Sequence, residues 1–238
     1  MNRLVHRQCY AVDMRGHGLS SKPDPPYAWN SFGEDLAMLA RELHLEGAIG
    51  VGHSMGGHSL AAAAAAEPGM FAKLLLIDPV ILPRSFYGSR SREPHYARKR
   101  KNKWSSDTEM FERFRDRQPF RDWDIAVLRD YCHWGLVADG DDFVLACPPE
   151  IEASIYENSS QPSANLYGKL ERITAAVTVM RAVKAIMGSE GPGIDMAASP
   201  TAPDLARVFR NGKDVPVQLS HFIPMEAPAL VADIVREL

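Results

Sequence analysis

Residues 49–57 read IGVGHSMGG, and this stretch decides the fold. An apolar run ends here in the pattern Gly-x-Ser-x-Gly, and the alanine-rich segment 60–66 follows directly. The pattern is typical of a sharp strand-to-helix turn that holds a serine hydroxyl clear of the sheet edge. We expect Gly52 and Gly56 to flank Ser54 because so tight a turn leaves no room for side chains. The helix that follows would point its N-terminal amides at the place where an oxyanion forms.

The same glycines allow a second interpretation. Gly50, Gly52 and Gly56 would then form a dinucleotide-binding loop, with Asp78 as the acid that binds the ribose. The third glycine comes one residue late, however, and Asp78 lies further along the chain than the usual ~20 residues. A nucleotide-binding oxidoreductase is therefore the less favoured hypothesis.

Composition limits the classes of protein. The chain has 238 residues, of which 45% are hydrophobic and 24% charged, as expected for one globular core with an insertion. The formal net charge of -3 argues against nucleic acid as a principal partner. Cys9, Cys132 and Cys147 are odd in number and widely spaced, which favours buried thiols in a reducing compartment over a disulfide framework and predicts a cytoplasmic location. No apolar run reaches the ~18–20 residues of a membrane span.

Strand-like and helix-like segments alternate along much of the chain, which predicts a mostly parallel α/β sheet. Besides the strand at 48–51, strands are predicted at residues 8–13, 74–78, 176–182 and 216–219. Helices are predicted at residues 31–43, 60–66, 202–209 and 229–238. Ser31 is the expected N-cap of the first helix, with Glu34 three residues later.

The alternation breaks between residues 83 and 172, which we interpret as an inserted helical cap on a core made of residues 1–82 and 173–238. Helix-like segments lie at 107–117, 123–131 and 149–156. The aromatic residues of the cap suggest an apolar acyl or aromatic substrate, although such residues more often form the core of the cap itself. They are Trp104, Phe111, Phe114, Trp123, Tyr131 and Trp134.

A basic run opens the cap. Acidic residues follow closely at 107–116, so a solvated cap edge is favoured over a contact with nucleic acid or lipid. The basic residues are Arg84, Arg90, Arg92, Arg98, Lys99, Arg100, Lys101 and Lys103.

A nucleophilic serine needs a base, and His221 is the best-placed candidate. It follows the last predicted strand, and a parallel sheet brings such a residue to the same edge as Ser54. His53 should point away from Ser54 if the strand alternates. His17 lies in a loop between two glycines, where packing or hydrogen bonding is the expected role.

Together these motifs resemble those of the α/β-hydrolase superfamily. Residues 13–20 (DMRGHGLS) are similar to the loop after that family's fourth strand, residues 52–57 (GHSMGG) to its nucleophile elbow, and residues 220–228 (SHFIPMEAP) to its histidine loop. The resemblance implies a serine hydrolase with no metal and no organic cofactor, in which Ser54 attacks and His221 moves the proton. A serine at position 54 disfavours the epoxide-hydrolase and haloalkane-dehalogenase branches, which place aspartate there.

The acid that orients His221 is left open among three residues. In most relatives it follows the strand that resumes after the cap, but residues 182–185 (AVKA) contain no carboxylate there. Glu190 and Asp195 lie further along the chain. Asp78 ends the strand next to the nucleophile strand, a position that some relatives use, and it is the favoured residue. Its alternative role is to cap the turn at Pro79.

The oxyanion site needs two donors, and the backbone N–H of Met55 is expected to be one of them. In the resembling family the second comes from a His-Gly loop after an earlier strand, and no such loop precedes residue 13. That family also has three strands and a helix before the strand expected at 8–13. We therefore expect Met1 to be an internal or misassigned start, and this chain alone to be poorly stable and weakly active.

The sequence thus predicts a serine hydrolase that cleaves a carboxylic ester, lactone or related acyl substrate through an acyl-enzyme. A small acyl compound is the expected partner. The main alternative is a non-catalytic protein of the same fold that binds a ligand in the same pocket.

Overall fold

A four-stranded parallel sheet forms the centre of the computed structural model, which describes residues 4, 6–88, 94–184 and 197–238. Its strands are β1 (Ala48–His53), β2 (Phe71–Ile77), β6 (Ala176–Ala182) and β7 (Gly212–Val217). They lie in the order β1-β2-β6-β7, and all three neighbouring pairs are parallel, which confirms the predicted α/β class. The carboxyl ends of these strands therefore meet at one edge of the sheet.

Seven α-helices are found among the described residues. They are α1 (Trp29–Glu42), α2 (Met55–Ala66), α3 (Asp107–Phe114), α4 (Ile125–Trp134), α5 (Pro149–Glu157), α6 (Ile223–Glu226) and α7 (Pro228–Glu237).

The sheet is covered on both faces. This explains why residues 74–77 of β2 form a continuous apolar run. Leu74 and Leu76 belong to the apolar cluster that includes the alanines of α2. Leu75 and Ile77 belong to a second cluster, which includes Val235 of α7. Because successive side chains of a strand point to opposite faces, a strand buried on both sides has to be apolar throughout.

The prediction of a strand at residues 8–13 is wrong. This segment forms no strand, its residues are exposed, and the described part of the sheet has β1 at its edge. A strand exists through its hydrogen bonds to a neighbour, and segment 8–13 has no such ladder with β1. Val51 of β1 is accordingly 46% exposed.

Other boundaries also differ from the predicted ones. Helix α1 begins at Trp29 after Ala28, so Ser31 lies inside its first turn and does not cap it. The buried indole of Trp29 donates to Ile155 O at 2.8 Å, and this tertiary contact extends the helix beyond the capping signal. The last strand ends at Val217, and only a short 3₁₀ turn, Leu205–Val208, occupies the helix predicted at 202–209.

The region predicted as a helical cap also contains a small antiparallel sheet. Its strands are β3 (Lys103–Trp104), β4 (Leu136–Asp139) and β5 (Asp142–Leu145), in the order β3-β5-β4. Five of the six cap aromatics pack in or against one apolar cluster beside this sheet, whereas Trp134 is 75% exposed. These side chains therefore mainly form the apolar core of this region, in agreement with the less specific of the two interpretations.

Carboxylates of the cap pair with much of its basic run. Arg98 pairs with Glu150 and Glu157, Arg100 with Glu152, Lys101 with Glu109, and Lys103 with Asp142. Arg90 and Arg92 lie outside the described residues. The paired part of the run does not offer an uncompensated basic surface. Among the described residues, no helix combines the length and the hydropathy that crossing a membrane requires.

Candidate active site

Ser54 stands between β1 and α2 in an unusual backbone conformation. Its φ is 55° and its ψ is −122°, a region that residues other than glycine rarely adopt. The turn is held from the neighbouring strand, because Ser54 N donates to Ile77 O at 3.0 Å and Val80 N donates to Ser54 O at 3.1 Å. Strain of this kind persists only where the surrounding structure imposes it, and it often marks a functional position.

The turn was expected to require glycine at 52 and 56, and the structure differs from this expectation at Gly56. A Cβ on Gly52 would lie 2.5 Å from Gly56 O, so Gly52 has no room for a side chain. A Cβ on Gly56, by contrast, would meet nothing within 4 Å. The second crowded position is Gly57, where a Cβ would lie 2.8 Å from the Cβ of Pro79. The turn therefore requires glycine at 52 and 57.

The structure brings Ser54, His221 and Asp78 into one hydrogen-bonded series. His221 Nδ1 lies 2.7 Å from Asp78 Oδ2, and His221 Nε2 lies 2.9 Å from Ser54 Oγ. A carboxylate only accepts, so Nδ1 carries the proton of the neutral ring and Nε2 is left to accept from the serine hydroxyl. His221 is 6% exposed and Asp78 is fully buried.

The Asp78 carboxylate is satisfied at both oxygens. Its Oδ1 accepts from Ala182 N at 3.0 Å and from Ser199 Oγ at 2.6 Å, while Oδ2 faces His221. Asp78 also adopts a positive φ of 40°, and its N–H donates to Met180 O at 2.7 Å. Both oxygens already have protein partners, so neither is left open for a ribose hydroxyl. Glu190 and Asp195 lie outside the described residues.

The backbone of His221 is fixed on both sides. Its N–H donates to Ala197 O at 2.8 Å, and its carbonyl lies 2.8 Å from His53 Nε2. The rings of His53 and His221 have centroids 4.8 Å apart. No sequence pattern predicted this contact, because strand alternation only directs the His53 side chain away from Ser54. His17 bonds within its own loop, with Nδ1 3.1 Å from Arg15 O.

Burial of His53 lowers the pKa of its ring to about 4, and the positive charge that His221 can carry acts in the same direction. Its hydrogen bond to the carbonyl of His221 opposes this shift. His53 is therefore neutral near neutral pH, with its proton on Nε2.

The region 83–172, predicted as a cap, contacts this site through the histidine loop. The ring of Phe222, next to His221, has its centroid 5.4 Å from that of Trp123. One backbone hydrogen bond reinforces this contact, since Asp124 N donates to Met225 O at 2.8 Å. The indole N–H of Trp123 is buried and has no hydrogen-bond partner among the described residues.

Met55, the residue expected to supply an oxyanion donor, is the first residue of α2. The first N–H groups of a helix have no acceptor within the helix, and that of Met55 has none elsewhere in the described part of the chain. The 12-residue helix adds the partial positive charge of its N-terminus next to Ser54.

One edge of the sheet thus carries a serine in a tight turn, an acid after the next strand and a histidine after the last strand. The sequence also matches a known family along almost its whole length. The model of the alpha/beta hydrolase family matches residues 1–234. The chain belongs to this family.

Among curated proteins, this α/β hydrolase matches over short stretches only. It is 46% identical over 68 residues to 2-(acetamidomethylene)succinate hydrolase of Mesorhizobium japonicum, which covers 29% of this chain and 24% of the relative. It is 39% identical over 82 residues to N-formylmaleamate deformylase of Pseudomonas putida, which covers 33% of this chain and 30% of the relative. The matched stretches thus span less than a third of these relatives' length.

Solved structures match over most of the fold. A peroxisomal α/β-hydrolase from Saccharomyces cerevisiae aligns with a TM-score of 0.73 at 17% identity, over 94% of this chain and 64% of that one. The crystal structure of E-2-(acetamidomethylene)succinate hydrolase aligns with a TM-score of 0.65 at 18% identity, over 94% of this chain and 78% of that one. At these identities the likeness concerns the fold alone.

Proposed function

We propose that the protein is a serine hydrolase that cleaves a carboxylic ester, lactone or related acyl compound through an acyl-enzyme. The observation that carries the proposal is the series Ser54–His221–Asp78, with 2.9 Å and 2.7 Å between the bonded atoms. A serine hydroxyl is a weak nucleophile until a base accepts its proton, and this series supplies that base.

In the proposed reaction, Ser54 Oγ attacks the carbonyl carbon of the substrate while its proton passes to His221 Nε2. The tetrahedral intermediate collapses when His221 passes the proton to the leaving group, at oxygen for an ester or lactone and at nitrogen for an N-acyl compound. Water, deprotonated by His221, then attacks the acyl-enzyme, and Ser54 is released. Asp78 keeps His221 in the required tautomer and stabilises the imidazolium that forms in each half of the reaction.

The negative charge on the substrate oxygen forms beside the N-terminus of α2. The N–H of Met55 is suited to donate a hydrogen bond to this oxyanion, because it immediately follows the nucleophile and has no other acceptor among the described residues. The hydrogen bond from such a preorganised donor becomes stronger as negative charge develops on the substrate oxygen. It therefore stabilises the transition state more than the bound substrate.

The proposed substrates are small acyl compounds, and the proposal includes N-acyl compounds because two relatives are named as a hydrolase and a deformylase of such compounds. The proposal also places the protein in the cytoplasm, since all three cysteines are free thiols, one of them exposed.

A panel of p-nitrophenyl esters, lactones and N-acyl amides, assayed with wild type and Ser54→Ala, tests the proposal. We expect turnover of at least one class by wild type and its loss in Ser54→Ala, apart from the small residual rate that binding and oxyanion contacts supply. A Ser54→Ala rate within about tenfold of wild type, ~1.4 kcal/mol of barrier, would exclude Ser54 as the nucleophile.

A fluorophosphonate probe separates this proposal from the binding-protein alternative without knowledge of the substrate. An activated Ser54 reacts with the probe, whereas a serine that only lines a binding pocket does not. Mass spectrometry of the labelled peptide identifies the modified residue, and Ser54→Ala is the control. Absence of labelling in folded wild-type protein would favour the binding protein.

A further inference from the structure

We propose that His53 is a positioning residue that holds the catalytic histidine loop through the main-chain carbonyl of His221. The inference rests on the proposed function, because it assigns His53 to the step in which His221 accepts the proton of Ser54. It concerns a side chain that precedes the nucleophile and makes no hydrogen bond to it.

Hydrogen bonds hold the main chain of His221 on both sides. His53 Nε2 lies 2.8 Å from His221 O, and a carbonyl oxygen only accepts, so His53 is the donor. On the other side, His221 N donates to Ala197 O at 2.8 Å. The peptide unit before the His221 Cα is thereby bonded to Ala197 and the unit after it to His53 at the end of β1, and rotation of the loop would break one of these bonds.

The bond also links two strands that are not neighbours. His53 is the last residue of β1, whereas His221 follows β7, and β2 and β6 lie between them in the sheet. Ser54 comes directly after His53. The hydrogen bond from His53 to His221 O therefore restrains the distance between the proposed nucleophile and its base. A displacement of about 1 Å between reacting groups can cost ~100-fold in rate, which makes such a tie functionally significant.

The neutral state of His53 suits this role. The ring centroid lies 4.8 Å from that of His221, with the two rings tilted by 37°, so a second positive charge here would oppose formation of the His221 imidazolium. Burial, the main cause, lowers the pKa of His53 to about 4, so the ring remains an uncharged donor while His221 is protonated and deprotonated in each cycle.

Three variants test the proposal. His53→Phe keeps a ring but removes the donor, whereas His53→Gln places an amide N–H near the position of Nε2. His17→Gln is the matched control, since His17 also bonds a main-chain carbonyl, Arg15 O at 3.1 Å, and this carbonyl lies within its own loop and not in the histidine loop. Each variant is assayed for kcat, KM and pH profile with an ester that wild type hydrolyses, and its melting temperature is measured.

We expect kcat of His53→Phe to fall about tenfold or more with KM nearly unchanged, as the loss of one positioning hydrogen bond predicts. His53→Gln should recover part of this loss, and its acidic limb should match that of wild type because His53 does not titrate there. His17→Gln should behave as wild type. Unchanged kcat in His53→Phe would overturn the proposal, and so would a shared loss of kcat and melting temperature in both His53 variants.

A measurement without turnover keeps this inference separate from the proposed function. The low-field proton resonance of His221 Nδ1–H reports its hydrogen bond to Asp78 in the resting protein. It should broaden or vanish in His53→Phe and persist in His53→Gln. If wild type hydrolyses nothing but the resonance responds in this way, the proposed function fails and the positioning role stands. An equally sharp resonance in His53→Phe overturns the positioning role alone.

Discussion

Ser199 Oγ donates to Asp78 Oδ1 at 2.6 Å, which joins two residues 121 positions apart in the chain. The acid that faces His221 thus accepts a hydrogen bond from a hydroxyl in the segment between β6 and β7. This segment contributes a donor to an acid that directly follows β2.

Asp78→Asn should lower kcat/KM by about 10⁴, because an amide next to Nδ1 stabilises the wrong tautomer of His221. Glu190→Gln and Asp195→Asn are the controls and should cost far less. Ester hydrolysis under first-order conditions measures all three. A large loss of kcat/KM in Asp195→Asn together with a small loss in Asp78→Asn would show that Asp195, and not Asp78, is the acid.

Ser199→Ala should lower kcat by roughly 10- to 100-fold, because it removes one of two donors to the buried Asp78 Oδ1, and hydrogen bonds to charged groups contribute ~1.5–3 kcal/mol.

Thr201→Val is the matched control for Ser199→Ala, since Thr201 Oγ1 donates to Pro79 O at 2.7 Å and not to the acid. This variant should lower the melting temperature while kcat changes little. Equal losses of kcat in the two variants would show that residues 199–201 affect activity only through the stability of the fold, and not through Asp78.

Gly57→Ala should destabilise the fold by about 1–3 kcal/mol, because the added Cβ would overlap Pro79 and the backbone of Gly52. Gly56→Ala should be neutral or stabilising by up to ~1 kcal/mol, since the site is open and alanine favours a helix. Urea unfolding of both variants provides the comparison. The reverse order of stabilities would contradict the arrangement of this turn.

Acid should destabilise the protein through His58. This fully buried ring contacts Ala164 O at 2.8 Å through Nε2, and burial lowers its pKa from 6.5 to about 4. The unfolded chain therefore binds a proton that the folded chain refuses between these two values, so stability is lost as the pH falls through this window. The full effect is on the order of 3 kcal/mol.

Urea unfolding of wild type and His58→Leu between pH 7.5 and 4.5 checks this effect. The leucine variant should lose part of the pH dependence, whatever its absolute stability. His44→Asn, a change at an exposed histidine with a φ of 51°, should retain the wild-type dependence. A wild-type pH dependence in His58→Leu would assign the acid sensitivity to other groups.

The sequence by itself determined the local features of this protein. The run IGVGHSMGG fixed a strand, a turn and a helix in register, because glycine and alanine placement constrains the backbone over a few residues. The apolar run 74–77 defined a strand buried on both faces. The order of Ser54 and His221 along the chain also brought them to one edge, since parallel strands deliver their carboxyl ends together.

Only the tertiary structure decided what depends on contacts between distant segments. The strand expected at 8–13 is absent because pairing, and not local propensity, creates a strand. Asp78 faces His221 because the end of β2 and the histidine loop meet at the sheet edge, while Ser199 and His53 reach this site from segments far apart in sequence. Such hydrogen bonds leave no periodic trace in the chain, since each joins single side chains whose spacing the fold alone sets.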